Sequence, residues 1–371
     1  MYDNDDRVVL TLDAGGTNFV FSAMRSGKEI VEPVNARAVT DNLAECLETV
    51  SDGFRKVKSA LDSEPVAISF AFPGPADYER GVIGRLPNFP AFSGGVALGP
   101  YLEDNFGIPV FINNDGNLYA YGEALCGFLP EINRKLQERG SSRRYRNLIG
   151  ITLGTGFGAG VVIDGRLLTG DNGCGGDVWC MQNAFYPDKI AEEGVSIRAV
   201  KRIYTELSGE SSSGLSPKDI YDIADGTRSG NRQAAVETFR QFGRTAGNAI
   251  SSAMDIVDGL VVIGGGVSGA AKYILPGILE EMRRSLGTFS GSLFPCLQQE
   301  VFDLTDPAEY DAFLTDDSPE VTVPFSDRQV PYLKDKKTGI AISSIGANRA
   351  IAAGAYAFAL SRLDDNAHNR F

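Results

Sequence analysis

The sequence predicts an α/β protein built from two like halves. Three observations carry that expectation. Short apolar runs of strand length alternate with stretches of helical period, the signature of strands covered by helices. A strand, a turn of glycine and threonine, and a second strand occur twice, at Leu10–Met24 and at Leu148–Ile163. A further apolar run, Leu260–Ile263, ends in Gly264-Gly265-Gly266. The length of 371 residues fits roughly two to three domains of ordinary size.

Composition narrows the chemistry. A hydrophobic share of 43% and a charged share of 22% give ample globular core. The net charge of −13 argues against nucleic acid as a partner, because phosphate backbones want basic patches. No run reaches the ~18 apolar residues of a membrane span, so none is expected. The first residues, MYDNDDRVV, are acidic where a secretory signal is basic. The five cysteines form no CxxC pair, which points to a reducing cytoplasm. The single histidine, His368, lies in a polar tail, so proton transfer falls to a carboxylate, Lys, Tyr or Cys.

The elements follow in chain order. Leu10–Met24 (LTLDAGGTNFVFSAM) reads as a hairpin with Asp13 at the mouth of its turn. Gly15 and Gly16 let a bulky anion approach, and backbone N–H groups with the Thr17 hydroxyl suit phosphate oxygens. Asp13 is placed for Mg²⁺ or its water shell. The same residues also make an ordinary β-turn, and no Walker loop is present. A third strand is expected over Ile30–Asn35. Asp41 then reads as the cap of a helix carrying Leu43, Leu47, Val50, Phe54, Val57 and Leu61 on one face. The strand Pro65–Ala71 runs into Phe72-Pro73-Gly74-Pro75, a rigid loop that lines a ligand cleft or serves as a structural turn. The loop Arg85–Phe92 carries Asn88, an amide for a polar ligand or a cover for the sheet.

The strand Val110–Ile112 ends in Asn113-Asn114-Asp115-Gly116-Asn117. A carboxylate at the carboxyl end of a buried strand suits chemistry; an Asn-Asp-Gly turn without function is the other reading. One helix, kinked near Pro130, is expected over Tyr119–Arg139. The second hairpin turns through Gly154-Thr155-Gly156, and Asp164-Gly165 signals another turn. Asp171–Met181 is a glycine-rich loop with Asp177, Trp179 and two cysteines. Glu192 and Glu193 open a helix to about Leu207, and Ser216-Pro217-Lys218-Asp219 starts the next. Asn231–Val257 is a long helix whose Gly243, Ala246 and Gly247 predict close packing. Gly264–Gly266 suits close approach of a base or ribose, or an ordinary tight turn. Thr288–Ile340 reads as an insertion, and Ser343–Leu360 as an alanine-rich helix.

The order of these pieces resembles the sugar kinases of the ROK family, within the superfamily of actin-like ATPases that includes hexokinase. The resemblance covers nearly the whole chain. It implies two ribonuclease-H-like domains flanking a cleft: residues 1–118 with 344–371, and residues 119–343 with an insertion near 288–340. It implies ATP held by Gly15, Gly16, Thr17, Asn18, Gly154, Thr155, Gly156, Gly264, Gly265 and Gly266, with Mg²⁺ at Asp13 directly or through water. Sugar contacts fall on Asn88, Asn114, Asp115, Asp177 and Glu192, with Asp115 as general base. The implied reaction is ATP-dependent phosphorylation of a hexose, glucose to glucose 6-phosphate. A kinase for another hexose or an N-acetylated amino sugar is an alternative, as is a non-catalytic sugar binder. Regulators of the family carry an N-terminal helix-turn-helix; with a first strand beginning by Val8, none is expected. A homodimer is the family expectation.

One departure is large. Family members carry a Glu-x-Gly-His segment and then a CxCGxxGC zinc motif; here the matching stretch is Asp177-Val178-Trp179-Cys180 and the zinc motif is missing. No structural zinc is expected, and the sugar pocket is rebuilt. Trp179 packs on a pyranose face or, as most large aromatics do, in the core.

Overall fold

The computed structural model describes residues 2, 4–14, 18–84, 90–316 and 319–368. The chain divides into two compact units, Met1–Gly127 with Gly160–Gly176 and Ile345–Phe371, and Phe128–Ala159 with Asp177–Ser344.

The first unit is built on β1 (Val9–Ala14), β2 (Asn18–Arg25), β3 (Lys28–Glu29) and β4 (Val34–Arg37), followed by α1 (Leu43–Ser59) and β5 (Ala67–Ala71). A small sheet of β6 (Ala76–Asp77), β7 (Val82–Ile83) and β8 (Val96–Ala97) leads into α2 (Leu98–Phe106), β9 (Val110–Asn113) and α3 (Asp115–Leu125). The main strand order is β3-β2-β1-β5-β9, with β4 also on β2. β1 and β2 form the expected antiparallel hairpin, and β1, β5 and β9 run parallel. Leu10, Leu12, Ile68, Phe70 and Ile112 join Phe54 of α1 and Leu102 of α2 in one core. Strand alternation sends Thr11, Asp13, Ser69 and Asn113 to the other face.

That other face is covered by the C-terminal helix, Ala347–His368, which packs on α3. Only glycine permits the approach: a methyl at Gly122 would overlap the Ala350 carbonyl, and one at Gly354 the Leu118 carbonyl.

Three local expectations change. The cap of α1 is Asn42 rather than Asp41, its side chain accepting the Glu45 N–H at 3.3 Å. The strand expected at 30–35 is two short strands, β3 and β4. The helix expected at 119–139 is two helices, α3 and α4 (Phe128–Glu138), separated at Cys126–Gly127. Pro130 sits in the first turn of α4, where a missing N–H breaks no helical bond.

The second unit contains β10 (Leu148–Leu153), from which the glycine turn leads to β11 (Phe157–Ile163); from Gly160 on, that strand and β12 (Arg166–Leu167) belong to the first unit. Helices α5 (Ile197–Ser208), α6 (Pro217–Asp225) and α7 (Arg232–Val257) follow, then β13 (Leu260–Gly264) and α8 (Ala271–Met282). The chain goes on through β14 (Ser285–Gly287), β15 (Leu293–Pro295), β16 (Glu300–Asp303), α9 (Pro307–Leu314), β17 (Glu320–Thr322), β18 (Gln329–Pro331) and β19 (Lys337–Ile342). Neighbouring strands β10, β13, β19 and β16 are all parallel. Ser216 caps α6 in a full capping box with Asp219. The small residues of α7 pack as expected: methyls at Gly243 and Gly247 would strike the Ile274 and Ile278 carbonyls of α8. Within 288–340, β16 and β19 are strands of the sheet, whereas β14–β15 and β17–β18 are separate two-stranded hairpins.

Candidate active site

In the first unit the pairing register decides what meets what. Asp13 pairs with Ala71, and Ala71 pairs with Asn113. The three residues form one row across β1, β5 and β9, on one face and at the carboxyl edge. With two strand spacings between them, the Asp13 and Asn113 backbones stand roughly 10 Å apart. Asp13 reaches solvent, yet the protein around it desolvates its carboxyl and raises it above the usual carboxylate range. Among the described residues it has no ion-pair partner.

Beyond Asn113 the chain turns sharply into α3, and asparagines build the turn. The Asn113 Oδ1 accepts the Asn114 N–H and the Asn117 Nδ2–H, both at 2.9 Å. The Asn114 Oδ1 caps α3 by accepting the Asn117 N–H at 2.6 Å. Asn117 was not singled out as a site residue, yet it is buried and holds the turn together. Its spacing from Asn114, the cap and the third helical position, was a readable signal. Asp115 occupies the first position of α3, exposed, with Oδ1 accepting the Gly116 N–H at 2.9 Å. Behind the turn lies β11: a Cβ on Gly160 would come within 2.5 Å of the Gly116 carbonyl and 2.7 Å of the Asn117 Cα.

The proline loop after β5 is rigid by hydrogen bonding as well as by proline. The Tyr78 hydroxyl donates to the Phe72 carbonyl at 2.9 Å, and the Gly84 N–H to the Pro75 carbonyl at 2.9 Å. Asn18 opens β2, exposed. Gly15, Gly16, Thr17 and Asn88 lie outside the described residues.

In the second unit, residues 154–156 form the turn between β10 and β11, with the Gly154 N–H donating to the Gly156 carbonyl at 3.1 Å. Thr152 pairs with Gly264, so the turn through residues 264–266 emerges beside the first, at the same carboxyl edge. Gly265 has φ +90°, and a Cβ there would collide with the Leu153 carbonyl. At Gly154 and Gly266 a Cβ would meet nothing within 4 Å, which leaves open room at that edge.

Glu192 is tied to the first of these turns. Its Oε2 accepts the Phe157 N–H at 3.1 Å, and its Oε1 pairs with Arg198 at 2.8 Å. A Cβ on Gly156 would stand 2.5 Å from the same Oε2. Ser196 caps α5 and also donates to the Glu192 carbonyl at 2.9 Å, so Glu192-x-x-x-Ser196 is one local unit. The helix expected to open at Glu192 opens instead at Ile197. Arg198 was not anticipated, and nothing in its spacing announces it.

Asp177 precedes a single helical turn, Val178–Cys180, and burial raises its carboxyl while a hydrogen bond from Trp179 opposes the shift. Trp179 is 40% exposed and is not core packing. The Ala191 N–H donates to the Met181 carbonyl at 2.7 Å and the Asn183 N–H to the Lys189 carbonyl at 2.9 Å. This folded-back excursion sets the Asp177–Cys180 segment beside Glu192. Among the described residues no three His, Cys, Asp or Glu side chains are grouped to hold a metal ion, and no helix is long and apolar enough to cross a membrane.

The sequence profile of the ROK family matches residues 9–292. The chain is 29% identical over 298 residues to the glucokinase of Thermotoga maritima, covering 74% of this chain and 86% of that one. It is similar to the crystal structure of a glucokinase from Parabacteroides distasonis, at 58% identity and a TM-score of 0.88, covering 97% of this chain and 99% of that one. A ROK family glucokinase from Streptomyces griseus, solved with glucose and AMPPNP, shares the fold at 18% identity and a TM-score of 0.58, covering 94% and 98%.

Proposed function

The chain belongs to the ROK family, and from that membership we propose that it is a sugar kinase that transfers the γ-phosphoryl group of ATP to the 6-hydroxyl of glucose. The observation that carries the reading is the row Asp13–Ala71–Asn113, which sets two accessible carboxylates, Asp13 and Asp115, at one sheet edge. The glucokinase likeness at 58% identity over nearly the full chain supports glucose over an N-acetylated sugar.

Phosphoryl transfer needs positioning and charge neutralisation more than covalent help. Asp115 accepts the proton of the attacking hydroxyl, held in place by the Gly116 N–H and by the asparagine-locked turn. Asn88, Asn114, Asp177 and Glu192 contact the sugar. The N–H groups of Gly15, Gly16, Gly154, Gly156 and residues 264–266, with Thr17, Asn18 and Thr155, hold the nucleotide. Asp13 fits a hard cation: it is one accessible, partly desolvated carboxylate without a cationic partner among the described residues, and Mg²⁺ commonly takes one or two carboxylates plus phosphate oxygens. Bound there, Mg²⁺ would supply charge neutralisation at the β- and γ-phosphoryl oxygens. We place the reaction in the cytoplasm, in keeping with ATP as donor and five free thiols.

The test is a panel of hexoses and N-acetylhexosamines with ATP and Mg²⁺, read as ADP released. Glucose is expected to give the highest kcat/KM, with glucose 6-phosphate as product. Equal or better turnover of an N-acetylhexosamine would overturn glucose as substrate. Sugar binding without ADP release from any sugar would overturn the kinase.

A further inference from the structure

Glu192 has neighbours that contact with a sugar does not explain. Its Oε2 accepts the Phe157 N–H at 3.1 Å, just past the turn at 154–156. At the other end of that turn the Gly154 carbonyl accepts the Ile197 N–H at 3.1 Å. The segment 192–197 therefore grips the turn at both ends. The grip is close, since a Cβ on Gly156 would stand 2.5 Å from the same Oε2. The other oxygen, Oε1, accepts a hydrogen bond from the Arg198 Nη2 at 2.8 Å.

Arg198 is set up to hold that carboxylate. It is the second residue of α5, and buried Ser196 fixes the start of that helix. The Ser196 Oγ accepts the Ala199 N–H at 3.3 Å and donates to the Glu192 carbonyl at 2.9 Å. The backbones of Glu192 and Arg198 thus belong to one rigid piece. The guanidinium also reaches the Glu193 Oε1, from Nη2 at 2.8 Å and from Nε at 3.2 Å. Arg198 is about half exposed, and such an ion pair contributes little to overall stability. Its local effect is larger, because Glu192 is only 21% exposed and its second oxygen is committed to a backbone N–H. A glutamate turns about several side-chain bonds, and the Phe157 N–H alone does not stop it. A carboxylate offers about four acceptor sites, so the two bonds leave lone pairs free for sugar hydroxyls.

We propose that Arg198 is a positioning residue for phosphoryl transfer: it fixes Glu192 so that one carboxylate serves the 154–156 turn and the sugar at once. The role rests on the kinase reading, in which Glu192 contacts sugar and the turn holds nucleotide. Arg198 touches neither ligand and acts through Glu192. Without it the carboxylate swings away from the Phe157 N–H. The turn then presents its own N–H groups to phosphate oxygens less well, and the sugar loses an aligned acceptor. Lysine keeps the charge at this position but not the planar fork that binds Glu192 and Glu193 together.

The test is Arg198→Gln in the full chain, with two readouts. The first needs no catalysis: amide hydrogen exchange at Phe157 in the ligand-free protein. It is expected to speed up by about fivefold or more, as loss of a charge-assisted hydrogen bond does. The second is the kinetics of glucose-dependent ADP release. KM is expected to rise about three- to tenfold for both glucose and ATP, with kcat within about threefold, because Asp115 is untouched. Arg198→Lys is expected to fall between wild type and Arg198→Gln. In a Glu192→Gln background, Arg198→Gln is expected to change either readout by less than about twofold. Unchanged exchange at Phe157 overturns the proposal. So does faster exchange with both KM values unaltered, which confines Arg198 to local stability, and so does an undiminished effect in the Glu192→Gln background. If the wild type releases no ADP with any sugar, the kinase reading fails; AMPPNP affinity by calorimetry then takes the place of KM, and the same outcomes decide.

Discussion

At the residue scale the candidate site sets two carboxylates in different environments. Asp13 faces partial desolvation, and Asp115 faces the start of a helix. A carboxyl raised in the folded state costs stability once it ionises. The folded protein then holds its proton at a pH where the unfolded chain, near ~3.9, has lost it. Stability from this group is therefore complete below the unfolded value and falls as pH rises through the raised one. Asp13→Asn is expected to raise Tm at pH 7 in the absence of ligands, and the gain should shrink as pH approaches ~4. Differential scanning calorimetry across that range checks it; a lowered Tm at pH 7 would show the carboxylate to be structurally supported. Legibility at this scale was uneven. Asp115 and Asn114 announced themselves by following an apolar run into a turn. Trp179 did not, because the general habit of large aromatics to be buried says nothing of a loop that holds its indole against Asp177.

At the element scale the site depends on close approach of backbones. β11 passes behind the first turn of α3 at Gly160, and neither the Gly116 carbonyl nor the Asn117 Cα can swing aside as a side chain would. Gly160→Ala is expected to destabilise by about 1–3 kcal/mol, as overpacking does, and to lower kcat more than it raises KM by shifting the turn that carries Asp115. Urea unfolding with steady-state kinetics checks both; a variant normal in both would free the turn from this support. Strands and helices with a clear period were legible, and so was the Ser216 cap, whose Pro and Asp are local signals. The break between α3 and α4 was not. It falls at Gly127, where a Cβ would come within 3.0 Å of the Ile345 side chain, a tertiary contact that propensity does not encode. The strands β16 and β19 were hidden in a stretch whose turns and acidic residues mask its apolar runs.

At the scale of the whole molecule, net charge and task oppose each other. A chain at −13 repels a nucleotide triphosphate at long range, so attraction has to come from N–H groups, helix ends and a cation at short range. The sequence carried this much, since its glycine turns are the places where backbone donors can be bare. The central claim is that the carboxylate at the start of α3 takes the proton from the sugar. Its most direct measurement is the glucose-dependent turnover of Asp115→Asn, with glucose affinity determined by calorimetry on the same preparation. A loss of about a hundredfold or more in kcat with affinity kept within a few-fold is the predicted result. Turnover within a few-fold of wild type would contradict it.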